Sequence, residues 1–131
     1  MSKSKYIREF EINASSRMLY PYLNTADGLA KWFADDVNLD PKRFFTFIWN
    51  GEKVMAKKSE PKPNHHVKFT FTGEDGKDLD DPSFIEFMLE ENEMTQTSFL
   101  QITDYSESED KVDMEELYDN LVFSLKEIVG G

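Results

Sequence analysis

The fold is decided by residues 15–36, SSRMLYPYLNTADGLAKWFADD, and by residues 43–56, RFFTFIWNGEKVMA. The first stretch has the capping residues and the apolar spacing of two short helices. The second is the most β-prone part of the chain and alternates as a hairpin does. One strand precedes the helices, more strands follow, and one long helix closes the chain. This order predicts an α+β fold in which a curved antiparallel sheet of about six to seven strands wraps around the closing helix.

Capping residues mark the starts of both short helices. Ser15 or Ser16 caps the first helix, which Pro21 should kink or shorten because proline lacks a backbone donor. Thr25 caps the second helix, which is about two turns long. The apolar stripe of the second helix consists of Leu29, Trp32 and Phe33.

The hairpin carries the clearest local signal in the chain. Asn50 and Gly51 tolerate positive φ and form a two-residue turn, which sets Trp49 opposite Glu52. Lysines then collect on one face of the hairpin, so the other face is predicted to point inward. Its inward side chains are Phe45, Phe47, Trp49, Val54 and Ala56.

Four more strands follow the two-residue period of β-structure. The opening strand, 5–13, places Arg8 on the apolar face beside Phe10. The inward sets of the two middle strands are Val67, Phe69 and Phe71, and Ile85, Phe87 and Leu89. The last strand, 94–103, is undecided because Phe99 differs in parity from Leu100 and Ile102.

The closing helix is predicted to begin at Ser106. Ser106 and Glu109 have the spacing of a capping box, and Gly130 follows the last periodic residue. The predicted apolar stripe consists of Met114, Leu117, Tyr118, Leu121, Val122, Leu125, Ile128 and Val129.

Composition limits the class of protein. The length of 131 residues fits one domain, 1–131. The absence of cysteine excludes a disulfide framework, a thiolate nucleophile and a cysteine zinc site. Since no apolar run has the length of a secretory signal or a membrane span, we expect a soluble cytoplasmic protein.

Negative charge is concentrated in the second half of the chain. Residues 1–73 carry twelve Lys or Arg and eight acids, whereas residues 74–131 carry three and eighteen, within a net charge of −11. Such a surface repels phosphate backbones, which argues against nucleic-acid binding. The acids serve solubility as a solvated face, or they dock onto a basic partner.

Polar residues offer few candidates for chemistry. Arg8 either binds a ligand carboxylate or pairs with an acid such as Glu52, which itself lies at a cavity rim or in a solvated turn. Adjacent histidines, His65 and His66, point to opposite faces of a strand, so a surface role is favoured over a metal site. The pair Asp35 and Asp36 is interpreted as loop, and residues 74–81 lack the pattern of a calcium loop. We expect no catalytic residue, no metal and no cofactor, because the predicted register places almost no acid or base inside the sheet.

The predicted outer face of the sheet also carries apolar side chains, namely Phe44, Ile48, Met55, Phe84 and Met88. A contiguous exposed apolar patch marks an interface more often than bare surface. This pattern predicts a homodimer formed through the outer sheet face.

The chain resembles the START-like (SRPBCC) superfamily, whose helix-grip fold curls an antiparallel sheet around a C-terminal helix. Within this superfamily, the chain is similar to bacterial relatives of the activator of the heat-shock-protein-ninety ATPase, with which it shares a short sequence pattern. The shared phrase is Ala14-Ser15, Leu19-Tyr20, Leu23, Gly28-Leu29 and Trp32-Phe33. The resemblance implies a cavity between sheet and long helix, closed at one end by the short helices, and it leaves the activity open.

Three functions follow from this resemblance as alternatives. The first is a non-catalytic protein that holds a small apolar molecule, lipid-like or aromatic, in the cavity. The second is a co-chaperone-like module that binds a chaperone ATPase, and the third is a cyclase or hydrolase with a buried ionisable group of shifted pKa in the pocket. The inward aromatic side chains either line the cavity or fill the core. With the cavity interpretation, the predicted ligand-binding residues are Arg8, Phe10, Trp32, Phe33, Phe45, Phe47, Trp49, Val54, Phe69, Phe71, Phe87, Leu117 and Leu121.

Overall fold

The computed structural model describes residues 3–107 and 110–131, and its centre is a seven-stranded antiparallel sheet. The strands are β1 (Ser4–Ile12), β2 (Asp36–Leu39), β3 (Phe44–Trp49), β4 (Glu52–Lys62), β5 (His66–Phe71), β6 (Phe84–Asn92) and β7 (Thr97–Ser106). The helices are α1 (Ser16–Leu19), α2 (Pro21–Asn24), α3 (Ala26–Leu29) and α4 (Lys111–Val129), with a 3-10 turn at Glu74–Gly76. The predicted α+β helix-grip architecture is confirmed.

The sheet has the order β1-β7-β6-β5-β4-β3-β2, so the first strand of the chain pairs with the last. Its inner face and α4 enclose one hydrophobic core. On the helix side this core contains Tyr118, Val122 and Leu125, all of which are buried. Among the described residues, no helix combines the length and apolar composition that crossing a bilayer requires.

Three one-turn helices, rather than the two predicted, connect β1 to β2. Pro21 is the reason, because α1 ends at Leu19 and the proline starts α2 at a position where its missing donor costs nothing. Both predicted caps are confirmed: the Ser15 hydroxyl accepts from the Met18 amide at 3.2 Å, and the Thr25 hydroxyl accepts from the Gly28 amide at 2.9 Å.

A half-buried polar cluster ties these short helices to the end of the sheet. The Tyr20 hydroxyl donates to Glu60 at 2.6 Å, and the Lys58 ammonium lies 3.4 Å from the same carboxylate. Lys58 also donates to the Asn24 carbonyl at 3.2 Å. Burial alone would raise the pKa of Glu60, but the hydrogen bond from Tyr20 and the charge of Lys58 outweigh it and lower that pKa. The cluster therefore stabilises this junction most when Glu60 is ionised.

The predicted hairpin and its register are confirmed. Asn50 and Gly51 have φ values of 50° and 82°, and Trp49 pairs with Glu52. The inward assignments also hold, since Phe45 and Phe47 are buried. The same is true of the apolar set on β5 and β6, which comprises Val67, Phe69, Ile85, Phe87 and Leu89.

The last strand and the closing helix begin later than predicted. β7 runs to Ser106, and α4 begins at Lys111 with the Asp110 carboxylate accepting from the Val112 amide at 2.9 Å. The predicted start at Ser106 is wrong because that residue is still in the sheet, where its pairing with β1 satisfies the backbone. Glu109, the other half of the predicted capping box, lies outside the described residues. The predicted stop at Gly130 is confirmed by its left-handed conformation, φ 81°.

The predicted outer patch is smaller in the structure than the sequence indicates. Of its five residues, Met88 is exposed, at 40%, and the others are half-buried. Phe44 lies so close beneath the 3-10 turn that a Cβ on Gly76 would come within 2.5 Å of its ring. The Lys68 ammonium lies 4.0 Å from the ring centroid of Phe84. A loop and a lysine therefore cover parts of this face, and dimerisation through it stays a prediction.

Candidate functional site: an apolar cavity with a buried carboxylate

A cavity of about 520 Å³ lies between α4 and one end of the inner sheet face. Its walls come from the segment after α3, the β3–β4 hairpin, the end of β5, the start of β6, the end of β7 and the middle of α4. The lining residues are Lys31, Trp32, Phe33, Ala34, Asp35, Trp49, Val54, Phe71, Phe84, Ile85, Asp104, Tyr105, Ser106, Leu117, Tyr118, Leu121 and Ser124. Aromatic and aliphatic side chains dominate, as in small-molecule sites of this size.

Seven of the predicted ligand-binding residues line this cavity. They are Trp32, Phe33, Trp49, Val54, Phe71, Leu117 and Leu121. Leu117 lies at the border with solvent, since it is 47% exposed. The sheet register and the periodicity of α4 bring these residues together from four separate parts of the chain. Their contact with a ligand stays a prediction.

Both tryptophans of the chain belong to this lining, and their polar atoms are satisfied by the backbone. The Trp32 indole nitrogen donates to the Tyr22 carbonyl at 2.8 Å, and the Trp49 indole nitrogen donates to the Phe33 carbonyl at 3.0 Å. These bonds fix the ring orientations and leave no indole donor without a partner. The tryptophans therefore contribute apolar surface to the cavity.

Four other predicted residues lie in the packed core and do not line the cavity. They are Phe45, Phe47, Phe69 and Phe87, each 2% exposed or less. The rings of Phe47 and Phe69 meet edge to face with centroids 5.4 Å apart, and Phe33 meets Phe87 in the same way at 5.5 Å. These rings fill the space between sheet and helix instead of surrounding it, so a ligand role for them stays a prediction.

Arg8 and Phe10 also lie away from the cavity lining. The Arg8 guanidinium covers the Phe10 ring at 4.8 Å and pairs with Asp119 of α4 at 2.7 Å. The prediction that Arg8 pairs with an acid is confirmed, but the acid is Asp119 and not Glu52, because Arg8 is on β1 and Glu52 is at the distant β3–β4 turn. Arg8 therefore clamps α4 to the sheet edge.

The cavity wall contains a buried carboxylate that sequence reasoning missed. Asp104 is 7% exposed, and it accepts hydrogen bonds from the Tyr118 hydroxyl at 2.5 Å and from the Ser106 hydroxyl at 2.6 Å. The Tyr118 ring stacks on Tyr6 with centroids 5.8 Å apart, which holds the hydroxyl in place. Burial, and then the charge of Asp104, raise the pKa of Tyr118 well above its usual value.

The expectation of almost no acid or base inside the sheet is therefore wrong. Its cause is the predicted end of the last strand at Thr103, three residues before the observed end. Continuing the parity of Leu100 and Ile102 by one more step places Asp104 on the inner face, where it pairs with Tyr6 on β1 and Ile85 on β6. Extending the two-residue period of the last strand to residue 104 would have identified this carboxylate from the sequence.

In this group Tyr118 is the hydrogen-bond donor and Asp104 is the acceptor. A tyrosine whose pKa is raised above its ordinary value of about 10 stays neutral near pH 7, so Tyr118 donates a hydrogen bond and is neither a base nor a strong acid. Asp104 is an acceptor with unused lone pairs, because an ionised carboxylate offers about four acceptor sites. The arrangement can hold a hydrogen-bond donor or a cation.

The remaining polar candidates lie outside the cavity interior. His66 pairs with Glu86 at 2.5 Å on the outer sheet face, and His65 is exposed, in accord with the surface interpretation. Asp35 borders the cavity but is exposed, and it accepts from the Asn50 amide at 2.7 Å. Asp36 accepts from its neighbouring amide in β2. The loop interpretation therefore holds for Asp35 and is wrong for Asp36, which pairs with Ile48 as the first residue of β2.

Comparison with known proteins shows which proteins this chain is similar to. A family model described as a START-like superfamily domain matches residues 1–131. The Aha1 dimer from Colwellia psychrerythraea is 24% identical, with a TM-score of 0.71 over 96% of each chain. A Bacillus halodurans protein is 18% identical, with a TM-score of 0.71 over 98% of this chain and 99% of that one. A Chromobacterium violaceum protein is 15% identical, with a TM-score of 0.70 over 97% of both chains.

At these identities the likeness to solved structures shows the fold alone. No curated protein matches the chain in sequence.

Proposed function

The chain belongs to the START-like superfamily, and from this premise we propose that it is a non-catalytic protein that holds a small apolar molecule between its sheet and α4. The observation that carries the proposal is the cavity of about 520 Å³, which lies within the 300–1,000 Å³ typical of small-molecule sites. Rings from the segment after α3, from the hairpin and from β5 form one wall, and Leu117 and Leu121 form the other. Aromatic rings on one side and leucines on the other suit an aromatic or alkyl body.

The proposal is tested with N-phenylnaphthylamine, a neutral apolar dye that fluoresces when it leaves water. Because both tryptophans line the cavity, bound dye should quench their emission by energy transfer. Native mass spectrometry of the purified protein then shows whether a small molecule from the expression host is bound to it.

Two neighbouring residues on β4 provide a matched pair of variants. Val54 faces the cavity, whereas Met55 lies on the opposite face of the same strand. Val54→Phe should fill part of the cavity and weaken dye binding at least about tenfold, which is the loss expected when 1.4 kcal/mol of contact is removed. Met55→Phe should leave binding unchanged. Wild-type protein that binds no dye, or a Val54→Phe variant that binds as well as wild type, would refute the proposal.

Self-association is a second proposal, supported by the dimeric state named for the Colwellia protein and by the exposed Met88 on the outer sheet face. Light scattering at high protein concentration should give twice the mass of the 15.3 kDa chain. Met88→Glu should return the chain to a monomer, and Met94→Glu, at a 95% exposed turn position, should not. A monomeric mass for the wild type ends this proposal.

The co-chaperone alternative is supported by the acidic half of the chain and by the phrase that it shares with relatives of the heat-shock ATPase activator. A charge-driven contact is strongest at low salt. Pull-down with the chaperone ATPase under that condition should therefore retain the partner and lose it as salt rises. No retention at low salt would exclude a charge-driven complex.

A further inference from the structure

Asp104 is a charge that the protein buries without a cation. It is 7% exposed in the wall of an otherwise apolar cavity, and none of the ion pairs within residues 3–107 and 110–131 includes it. A buried ionised carboxylate is costly unless it is paired and hydrogen-bonded. Hydroxyls of Tyr118 and Ser106 supply hydrogen bonds, but neither neutralises the charge.

The two hydroxyls leave acceptor capacity on Asp104. One hydrogen bond reaches each carboxylate oxygen, and a carboxylate has about four acceptor positions. Because Asp104 itself lines the cavity, a ligand group can take a free position. Since the protein has already desolvated this carboxylate on folding, a cation that binds it gains attraction without that part of the usual penalty.

The surroundings of the cavity also favour positive charge. Residues 74–131, which supply β6, β7 and α4, carry three Lys or Arg against eighteen acids. Asp35 adds a carboxylate at the border of the cavity. Lys31 lines the cavity too, but its side chain is exposed and forms no ion pair with Asp104. A field of this sign raises the local concentration of cations.

We propose that the cavity takes an amphipathic cation, an apolar body that carries a protonated amine, and that the amine donates to the Asp104 carboxylate. The inference rests on the proposed binding function and names the class of its ligand. Tyr118 is a positioning residue, because its hydroxyl and its stacking on Tyr6 hold the carboxylate in place. The aromatic and leucine walls receive the apolar body.

Three ligands that share one alkyl chain separate the inference from the function beneath it. Decylamine is a cation at pH 7, decanol is neutral, and decanoate is an anion. Each is titrated against the full chain with bound N-phenylnaphthylamine, and displacement gives its affinity. A charge-assisted hydrogen bond should make decylamine bind at least about tenfold more tightly than decanol, with decanoate weakest. Repeating the series at high salt should preserve this order, because a buried contact is screened less than surface attraction.

The variant Asp104→Asn keeps the size of the side chain and removes its charge. It should abolish the preference, so that decylamine binds no more tightly than decanol. Asp80→Asn removes the same charge from an exposed loop position and should leave the preference intact. If Asp104→Asn does not fold, the ligand series on wild-type protein decides the matter alone.

The outcomes are distinguishable. If decanol displaces the dye as well as decylamine does, or if the preference for the amine disappears at high salt, the inference is wrong and the apolar container stands. If neither the dye nor any of the three ligands binds, the proposed function itself fails.

Discussion

The hydrogen bond between Tyr118 and Asp104 should be the most costly single polar contact to remove. Tyr118→Phe deletes the hydroxyl that donates to the buried carboxylate at 2.5 Å and leaves Ser106 as its remaining partner. Hydrogen bonds to charged groups contribute about 1.5–3 kcal/mol, so we expect a loss of about 2 kcal/mol in the free energy of unfolding. Unfolding entropy of about 2.1 cal/mol/K per residue over 131 residues converts this loss to a fall in Tm of about 7 °C.

Tyr105→Phe is the matched control for this prediction. The neighbouring tyrosine hydroxyl also donates to an aspartate, Asp81, at 3.0 Å, but that pair is exposed to solvent. Water replaces the lost partner there, so the control variant should keep the stability of the wild type. Urea denaturation followed by circular dichroism measures both variants, and an unchanged m-value shows that the same surface is exposed on unfolding.

A double-mutant cycle identifies the carboxylate as the source of the effect. With Asp104→Asn already present, Tyr118→Phe removes a neutral hydrogen bond and should cost only about 1 kcal/mol. The coupling energy between the two positions is then about 1 kcal/mol. The reasoning would be refuted if Tyr118→Phe cost no more than Tyr105→Phe, or if its cost were the same in both backgrounds.

Three further predictions concern the pH dependence of stability and the space around two glycines. Because the pKa of Tyr118 is raised on folding, its contribution to the free energy of unfolding is full below about pH 10 and falls above that pH by up to about 1.4 kcal/mol per pH unit. Urea midpoints should therefore decline less at alkaline pH in Tyr118→Phe than in the wild type, and parallel declines would contradict this. Because the pKa of Glu60 is lowered on folding, its contribution to the free energy of unfolding is present above about pH 4.5 and is lost as the pH falls. Glu60→Gln should therefore make stability less dependent on pH in the acid range, and an unchanged dependence would count against the Tyr20–Glu60–Lys58 cluster. Gly28→Ala would place a Cβ 2.1 Å from the Pro21 carbonyl oxygen and should lower the free energy of unfolding by about 3 kcal/mol. Gly51→Ala meets open space and should lower it by about 1 kcal/mol because of the positive φ at that position. Equal losses of stability in thermal denaturation would disprove the close approach at Gly28.

Local chemistry was enough to predict much of the architecture. The turn at Asn50 and Gly51, the caps at Ser15 and Thr25 and the stop at Gly130 each depend on a few adjacent residues, and all were predicted correctly. The two-residue period likewise assigned the inward faces of the middle strands. Short-range signals of this kind survive because their partners are nearby in the chain.

Boundaries and partners that depend on distant residues were predicted less well. Ser106 has the features of a helix cap, but pairing of its strand with β1 keeps it in the sheet. Arg8 pairs with Asp119, more than a hundred residues further along the chain, and no local pattern indicates which acid it meets. Tertiary pairing decided these cases over local preference.

The candidate site shows the same division. Periodicity alone showed which aromatic rings face inward, because the alternation of a strand is a local property. It did not separate the rings that fill the core, such as Phe47, from those that border a cavity, such as Trp49, because that depends on how far α4 lies from each part of the sheet. Nor did it show that Asp104 meets the Tyr118 hydroxyl, since that contact requires β7 and α4 to be packed together. The face of the sheet to which a side chain points is a property of one strand, whereas the size of a cavity and the burial of a charge depend on the distances between packed elements.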